Sequence, residues 1–264
     1  MKRYILIAYG LARDRLRNET AYMANIFAET ASTVFYVISY LLFINFLFAK
    51  IGSVAGYSKN DIYFMMLVGQ LTFYLYASLL LSAGVKIISA VRNGEFDLLL
   101  LKPINTIFYI YASSIKPITT TLISLPNLLI LIILINWQAL NLTPISLVLG
   151  FITWLASILI LNTLIIATVY PVFTRGEATD TINITWSLFS INEIPYDKLP
   201  NTLKILSFAL LPTLLAGGGV TYIALSKGPS MFIVLFSVIA AIIAVILYKL
   251  IWRKALQQYT SASS

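Results

Sequence analysis

Glu95 and Asp97 flank a phenylalanine in Gly94-Glu95-Phe96-Asp97-Leu98-Leu99-Leu100-Leu101-Lys102-Pro103. The chemistry such a stretch offers is contact: charge to meet a basic surface and an apolar face to fill a groove. Gly94 opens it and Pro103 closes it, as the punctuation of a brief helix. A helix this short is unstable alone in water and needs a surface to pack on. It reads as a docking helix for a soluble partner, with Phe96 and the leucines as its apolar face, or as a plain surface turn.

Bond-making chemistry is sparse. The chain has no histidine and no cysteine, which removes the commonest general base, the usual metal ligand and all thiol chemistry. No phosphate-cradling Gly-x-x-x-x-Gly-Lys-Ser/Thr loop is present, and Gly217-Gly218-Gly219 is followed by no such lysine. No ligand cluster and no nucleophile with a matching base stands out. No catalytic residue, no metal ligand and no ATP hydrolysis are therefore expected of this chain.

The elements that must position these residues are membrane helices. A mean hydropathy of +0.89, with 59% hydrophobic and 11% charged residues, places the chain among integral membrane proteins. Its 264 residues have room for about six spans of roughly 20 residues each. Uncharged runs cover 30–49, 62–85, 117–174, 205–226 and 228–248, and 117–174 is long enough for two helices. A β-barrel would show short alternating segments instead. The expected class is an all-α integral membrane protein with six transmembrane helices.

Residues 2–20 read as an amphipathic interface helix, with Ile5, Tyr9, Ala12 and Leu16 on one face and Arg13 and Arg17 on another, or as a plain basic flank. Those basic residues interrupt any signal-peptide core, so no cleavable signal is expected. Spans are expected at about 22–49, 62–90, 117–136, from the turn at Trp137–Pro144 to Tyr170-Pro171, and at 230–250. Glu29 is a candidate functional charge or one that reaches the headgroups. The fifth span is ambiguous. Residues 205–226 are the more hydrophobic, but Pro212 and Gly217-Gly218-Gly219 suit a broken or re-entrant segment; residues 178–193, with Trp186, Leu188 and Phe189, could cross instead.

Charge sets the expected orientation. With both termini inside, Arg3, Arg13, Arg15, Arg17, Arg92, Arg175 and Arg253 all fall on the cytoplasmic side, with Lys2, Lys86, Lys102, Lys116, Lys249 and Lys254. If 178–193 crosses, Lys50, Lys59, Lys198, Lys204 and Lys227 lie outside. The net charge of +8 is that of basic membrane flanks and needs no nucleic acid to explain it.

Three segments together resemble the permease subunits of type-2 ATP-binding-cassette (ABC) exporters. Gly94 to Lys102-Pro103 is similar to the family's cytoplasmic coupling helix between spans two and three. Ile194-Pro195-Tyr196-Asp197-Lys198-Leu199-Pro200, with Pro212 downstream, resembles the outer re-entrant helices before the last span. Trp252-Arg253-Lys254 to Tyr259-Thr260-Ser261-Ala262-Ser263-Ser264 resembles the basic, Tyr- and Ser-containing tail of one branch, which usually continues into glycines where this chain ends in serines.

The resemblance covers essentially the whole chain and implies a single transmembrane domain over 1–264. In it an interface helix (1–21) precedes a six-span permease (22–252) and a cytoplasmic tail (253–264). It places Gly94, Glu95, Phe96, Asp97, Leu98, Leu100, Lys102 and Pro103 at an ATPase, and Pro195, Tyr196, Pro200 and Pro212 in the outer re-entrant segment. It makes 177–193 the fifth span, against hydropathy. Spans one, two and five would line a pathway, with Tyr36, Tyr40, Phe73, Tyr74 and Trp186 as lining candidates, although such rings also serve ordinary packing.

The implied partners are a nucleotide-binding ATPase subunit that holds the ATP and magnesium, a second permease (homodimer or heterodimer) and membrane lipids. No cofactor would sit on this chain. The implied address is a prokaryotic plasma membrane, and the implied cargo amphipathic or hydrophobic. Two other readings compete: an ion-coupled secondary transporter, which should show inverted repeats and intramembrane charges, and a non-transporting scaffold or immunity protein.

Overall fold

A computed structural model describes residues 2–260, with side chains from Tyr4 onward. The Lys2 and Arg3 side chains and the Ser261–Ser264 end of the expected tail lie outside the described residues. Among those described every regular element is a helix, joined by turns and loops, apart from an isolated bridge between Val54 and Tyr57.

Helix α1 (Lys2–Glu19) runs through a single 3-10 turn, Thr20–Tyr22, into α2 (Met23–Ile51). Ile5, Tyr9 and Leu16 of α1 are exposed, while its other side packs on α6 (Thr106–Ser114) and the start of α7 (Pro117–Leu134). Arg15 Nε donates to the Ser113 carbonyl at 2.9 Å. Glu19 Oε2 accepts from the Thr119 amide at 2.6 Å and its hydroxyl at 2.8 Å. A carboxylate there satisfies unpaired amides at the positive end of α7.

Helix α3 (Lys59–Leu75) begins with a reciprocal cap between Ser58 and Asp61. It continues through a π turn, Tyr76–Leu81, into α4 (Ser82–Arg92). After α5 (Phe96–Leu100), α6 and α7 comes α8 (Pro144–Val169), started by Pro144 at its first position and capped by Thr143. It is followed by α9 (Val172–Arg175) and α10 (Thr179–Ser187). Next come α11 (Asn201–Leu206), α12 (Pro212–Leu214), α13 (Val220–Ala224) and the last long helix, α14 (Met231–Gln258).

Five helical stretches are long and apolar enough to cross a membrane: Tyr4–Ile51, Lys59–Arg92, Pro117–Leu134, Pro144–Arg175 and Met231–Gln258. Neither candidate for a further span is among them. One candidate is helical only over α10 and the 3-10 turn Leu188–Ile191; the other is broken between the end of α11 and the helical stretch Pro212–Ala224. At about 1.5 Å per residue, either is shorter than the roughly 30 Å of a bilayer core.

The contacts of these two segments differ in kind. The first runs antiparallel to α4 and α3 along their whole length. Glu177 pairs with Arg92, Ile182 packs at Gly84, Thr185 bonds Tyr76, Asn192 bonds the Gly69 carbonyl, and Asp197 accepts from the Tyr57 hydroxyl at 2.9 Å. The second folds back on itself. Lys227, just past it, returns to the same end as Asp197, bonding Asp61 at 2.6 Å and lying 5.0 Å over the Tyr57 ring.

Between those anchors every residue from Pro212 to Leu225 is buried. That burial explains the hydropathy of 205–226, since a helix apolar all round is a core helix or a span and composition does not distinguish them. Gly217 and Gly218 permit a close crossing: a Cβ on either would lie 2.0 Å from the carbonyl oxygen of Asn192 or Ile194. The Gly218 amide donates to the Asn192 carbonyl at 3.1 Å.

Candidate docking face and aromatic groove

Helix α4 ends in a hydrogen-bonded glycine cap. Gly94 adopts φ +72°, its amide bonds the Val91 carbonyl, and the Glu95 amide bonds the Ala90 carbonyl. The chain thereby reverses into α5. Phe96, expected on the docking surface, points the other way and is fully buried. Its ring meets Phe173 at 5.3 Å, Tyr259 at 5.0 Å and Trp252 at 6.4 Å, all edge-on.

The reason is physical. A five-residue helix persists only by burying one face, and its own chain supplies the surface. Leu99 shares that inner face. Glu95, Leu98, Leu100, Leu101 and Pro103 are exposed, Leu101 by 79%, whereas Lys102 turns back, 4.6 Å over the Tyr109 ring. Asp97 lies against Tyr259, whose phenol pKa is raised by burial and then by that carboxylate. The tail thus packs on α5, joining two segments that sequence treats separately.

Glu177 borders the same face. Its carboxylate accepts from the Thr179 hydroxyl at 2.5 Å and from the amides of Thr179 and Ala178 at 2.9 and 3.0 Å. With Arg92 at 3.4 Å, those bonds, led by the Thr179 hydroxyl, hold its pKa at about 2.

Tyr36, Tyr40, Phe73, Tyr74 and Trp186, far apart in sequence, line one groove of about 630 Å3 between α2, α3 and the 179–194 segment. Phe73 meets Trp186 at 5.2 Å and Phe189 at 5.4 Å, edge to face. Tyr36 and Tyr40 lie parallel at 6.3 Å. Asn127 donates to the Tyr74 hydroxyl at 2.6 Å and to Thr33 at 3.1 Å. The groove also holds Glu193, with Gln70 Nε2 3.4 Å from its Oε1. Another recess, of about 620 Å3 between α8, α11 and α14, carries no charged side chain.

Sequence reasoning had weighed Glu29 as the intramembrane acid. Glu29 is exposed on α2 and does not line the groove. Glu193 was missed because it ends a mostly polar stretch, Ser190-Ile191-Asn192-Glu193, at a segment boundary; its place just before Ile194-Pro195 was the available signal. The residues expected in the re-entrant segment stand at the starts of its short elements. Tyr196 is buried with its hydroxyl 3.0 Å from Ser207 Oγ, Pro195 and Pro200 bracket the turn before α11, and Pro212 opens α12. Among the described residues no group of three or more carboxylates is placed to hold a metal.

Five apolar long helices, a short exposed-tipped helix at one end and a helical hairpin buried at the other define a multi-pass membrane protein. The family model for ABC-2 family transporter protein matches residues 34–263. The chain belongs to that family, and is a membrane permease component of an ABC transporter. Comparison with curated proteins and with solved structures finds no match.

Proposed function

We propose that the chain is the permease of an ATP-driven exporter, docked through the outer face of α5 on a cytoplasmic ATPase that holds the ATP and magnesium. It would pair with a second permease and move an amphipathic or hydrophobic cargo by alternating access. The observation that supports this best is the two-sidedness of α5. Its inner face is riveted through Phe96 to α9 and α14, while Leu98 and Leu101 stand free to bind. A displacement of α5 would therefore move α9 and the end of α14, which a bare surface turn would not do.

In this arrangement both termini are cytoplasmic, 177–193 is the fifth of six crossings and 196–226 forms an outer, partly re-entrant hairpin. The native chain has no cysteine, so sidedness is testable with Lys198→Cys. An impermeant thiol reagent should label it from outside; labelling only from the cytoplasm would overturn the arrangement.

Docking is tested with Leu98→Asp combined with Leu101→Asp. Interface anchors typically cost about 2 kcal/mol or more when lost, so the ATPase should no longer co-purify although the permease inserts and melts as wild type. Undiminished recovery and coupled ATP hydrolysis would remove the docking role. A membrane scaffold would tolerate the same pair of changes.

A further inference from the structure

A carboxylate at membrane depth is costly and persists where it has a partner or a use. Glu193 has few partners. Among the described residues it forms no ion pair; Gln70 offers one long hydrogen bond, and Tyr40 lines the same groove. The neighbouring Asn192 amide is committed to the Gly69 carbonyl at 3.3 Å. Space for the acid is made by a missing side chain, since a Cβ on Gly69 would lie 3.0 Å from Glu193 Cγ.

The groove around that acid contains no lysine or arginine, and its walls are aromatic. Aromatic faces are negative and attract cations. At about 630 Å3 the space is of drug-ligand size. The wall is open on one side, with Trp186 half exposed.

We propose that this groove binds a lipophilic organic cation, with Glu193 as the charge partner and Tyr36, Tyr40, Phe73 and Trp186 as the aromatic walls. The cation supplies the counter-charge that the fold withholds, and the rings cover its apolar body. An anion of the same shape meets an uncompensated carboxylate and is rejected. A neutral body gains the walls without the charge. The inference takes the groove as the cargo site of the transport reading above, but binding is measurable apart from transport.

The test uses the full chain in lipid nanodiscs with radiolabelled tetraphenylphosphonium, subtracting partition into empty nanodiscs. Saturable binding is expected, and Glu193→Gln, which keeps the shape and removes the charge, should weaken it by about tenfold or more. Tetraphenylborate, measured separately on the wild type, should show no saturable binding, and this arm stands even if the variant fails to fold.

Absence of saturable tetraphenylphosphonium binding, equal binding by Glu193→Gln, or equal binding of tetraphenylborate would each overturn the proposal. Glu193-dependent binding without ATP-driven movement in reconstituted vesicles would uphold the cation site and sink the transport reading. Conversely, ATP-driven movement of neutral triphenylphosphine oxide, unchanged in Glu193→Gln and without tetraphenylphosphonium binding, would sink the cation site and leave transport standing.

Discussion

Phe96, Phe173, Trp252 and Tyr259 meet edge to face around α5, with Phe96 ring distances running from 5.0 to 6.4 Å. Phe73, Trp186 and Phe189 meet in the same geometry along α3, at 5.2 and 5.4 Å. The first set is closed over Phe96, which is fully buried, whereas the second leaves Trp186 half exposed beside Glu193, Gln70 and Asn192. Ring type and ring spacing therefore do not distinguish a rivet from a wall. What distinguishes them is whether the cluster closes, and whether polar groups share its open side.

The largest expected effect separates the two clusters directly. Phe96→Ala opens a cavity in a closed core and should cost about 3–5 kcal/mol, read as a lowered melting point in detergent. Phe73→Ala enlarges a space that is already open and should cost clearly less. Equal losses would break the distinction. Because Phe96 faces inward, its loss is expected to act through folding; a stable Phe96→Ala protein that merely failed to recover the ATPase would reverse the orientation described for α5.

Glycine substitutions sharpen the same contrast. A methyl group at Gly218 would meet the Ile194 carbonyl, a backbone atom with nowhere to go, and Gly218→Ala should cost about 1–3 kcal/mol as overpacking. At Gly69 the first atoms met belong to the Glu193 and Asn192 side chains. Gly69→Ala should therefore cost less than about 1 kcal/mol, yet displace Glu193 and weaken tetraphenylphosphonium binding severalfold. If Gly69→Ala melted lower than Gly218→Ala, the groove would be part of the rigid core.

The smallest effect is electrostatic. Glu177, held at about 2 from an ordinary 4.5, contributes stability that is complete above pH 4.5 and is lost as pH falls toward 2. The carboxylate is exposed and screened, so the contribution is slight. Melting curves of wild type and Glu177→Gln should stay parallel from pH 7 to 5 and converge only below 4.5. Convergence already near pH 6 would assign the stabilisation to another group.

Much of this was legible in the sequence because it rests on composition and punctuation. Uncharged runs mark long helices, and Gly94 and Pro103 mark off α5; that the aromatics of 36–40, 73–74 and 186 share a groove was suggested only by the family resemblance, since such rings serve ordinary packing equally well. The direction of Phe96 was not legible: five residues make little more than one turn, too short for any hydrophobic period to choose a face. Nor was the contrast between the two middle segments. A hydropathy window scores 212–225 as membrane because it is buried in protein. It undervalues 179–193 because Thr185 and Asn192 find their partners in the π turn after α3 and in α3 itself.

The shelter that 212–224 gives to Asn192 and Ile194 also bears on the order of assembly. Segment 179–193 carries Asp180, Asn183, Asn192 and Glu193, and a stretch so short and polar does not partition into lipid from the translocon by itself. Under the six-crossing arrangement, it must wait at the membrane surface until the glycines that fit over Asn192 and Ile194 have been synthesised. A nascent chain stopped at residue 200 should then keep Lys198 on the cytoplasmic side, and one extended past residue 230 should carry it across. Outside labelling of the shorter chain would show instead that the crossing forms unaided.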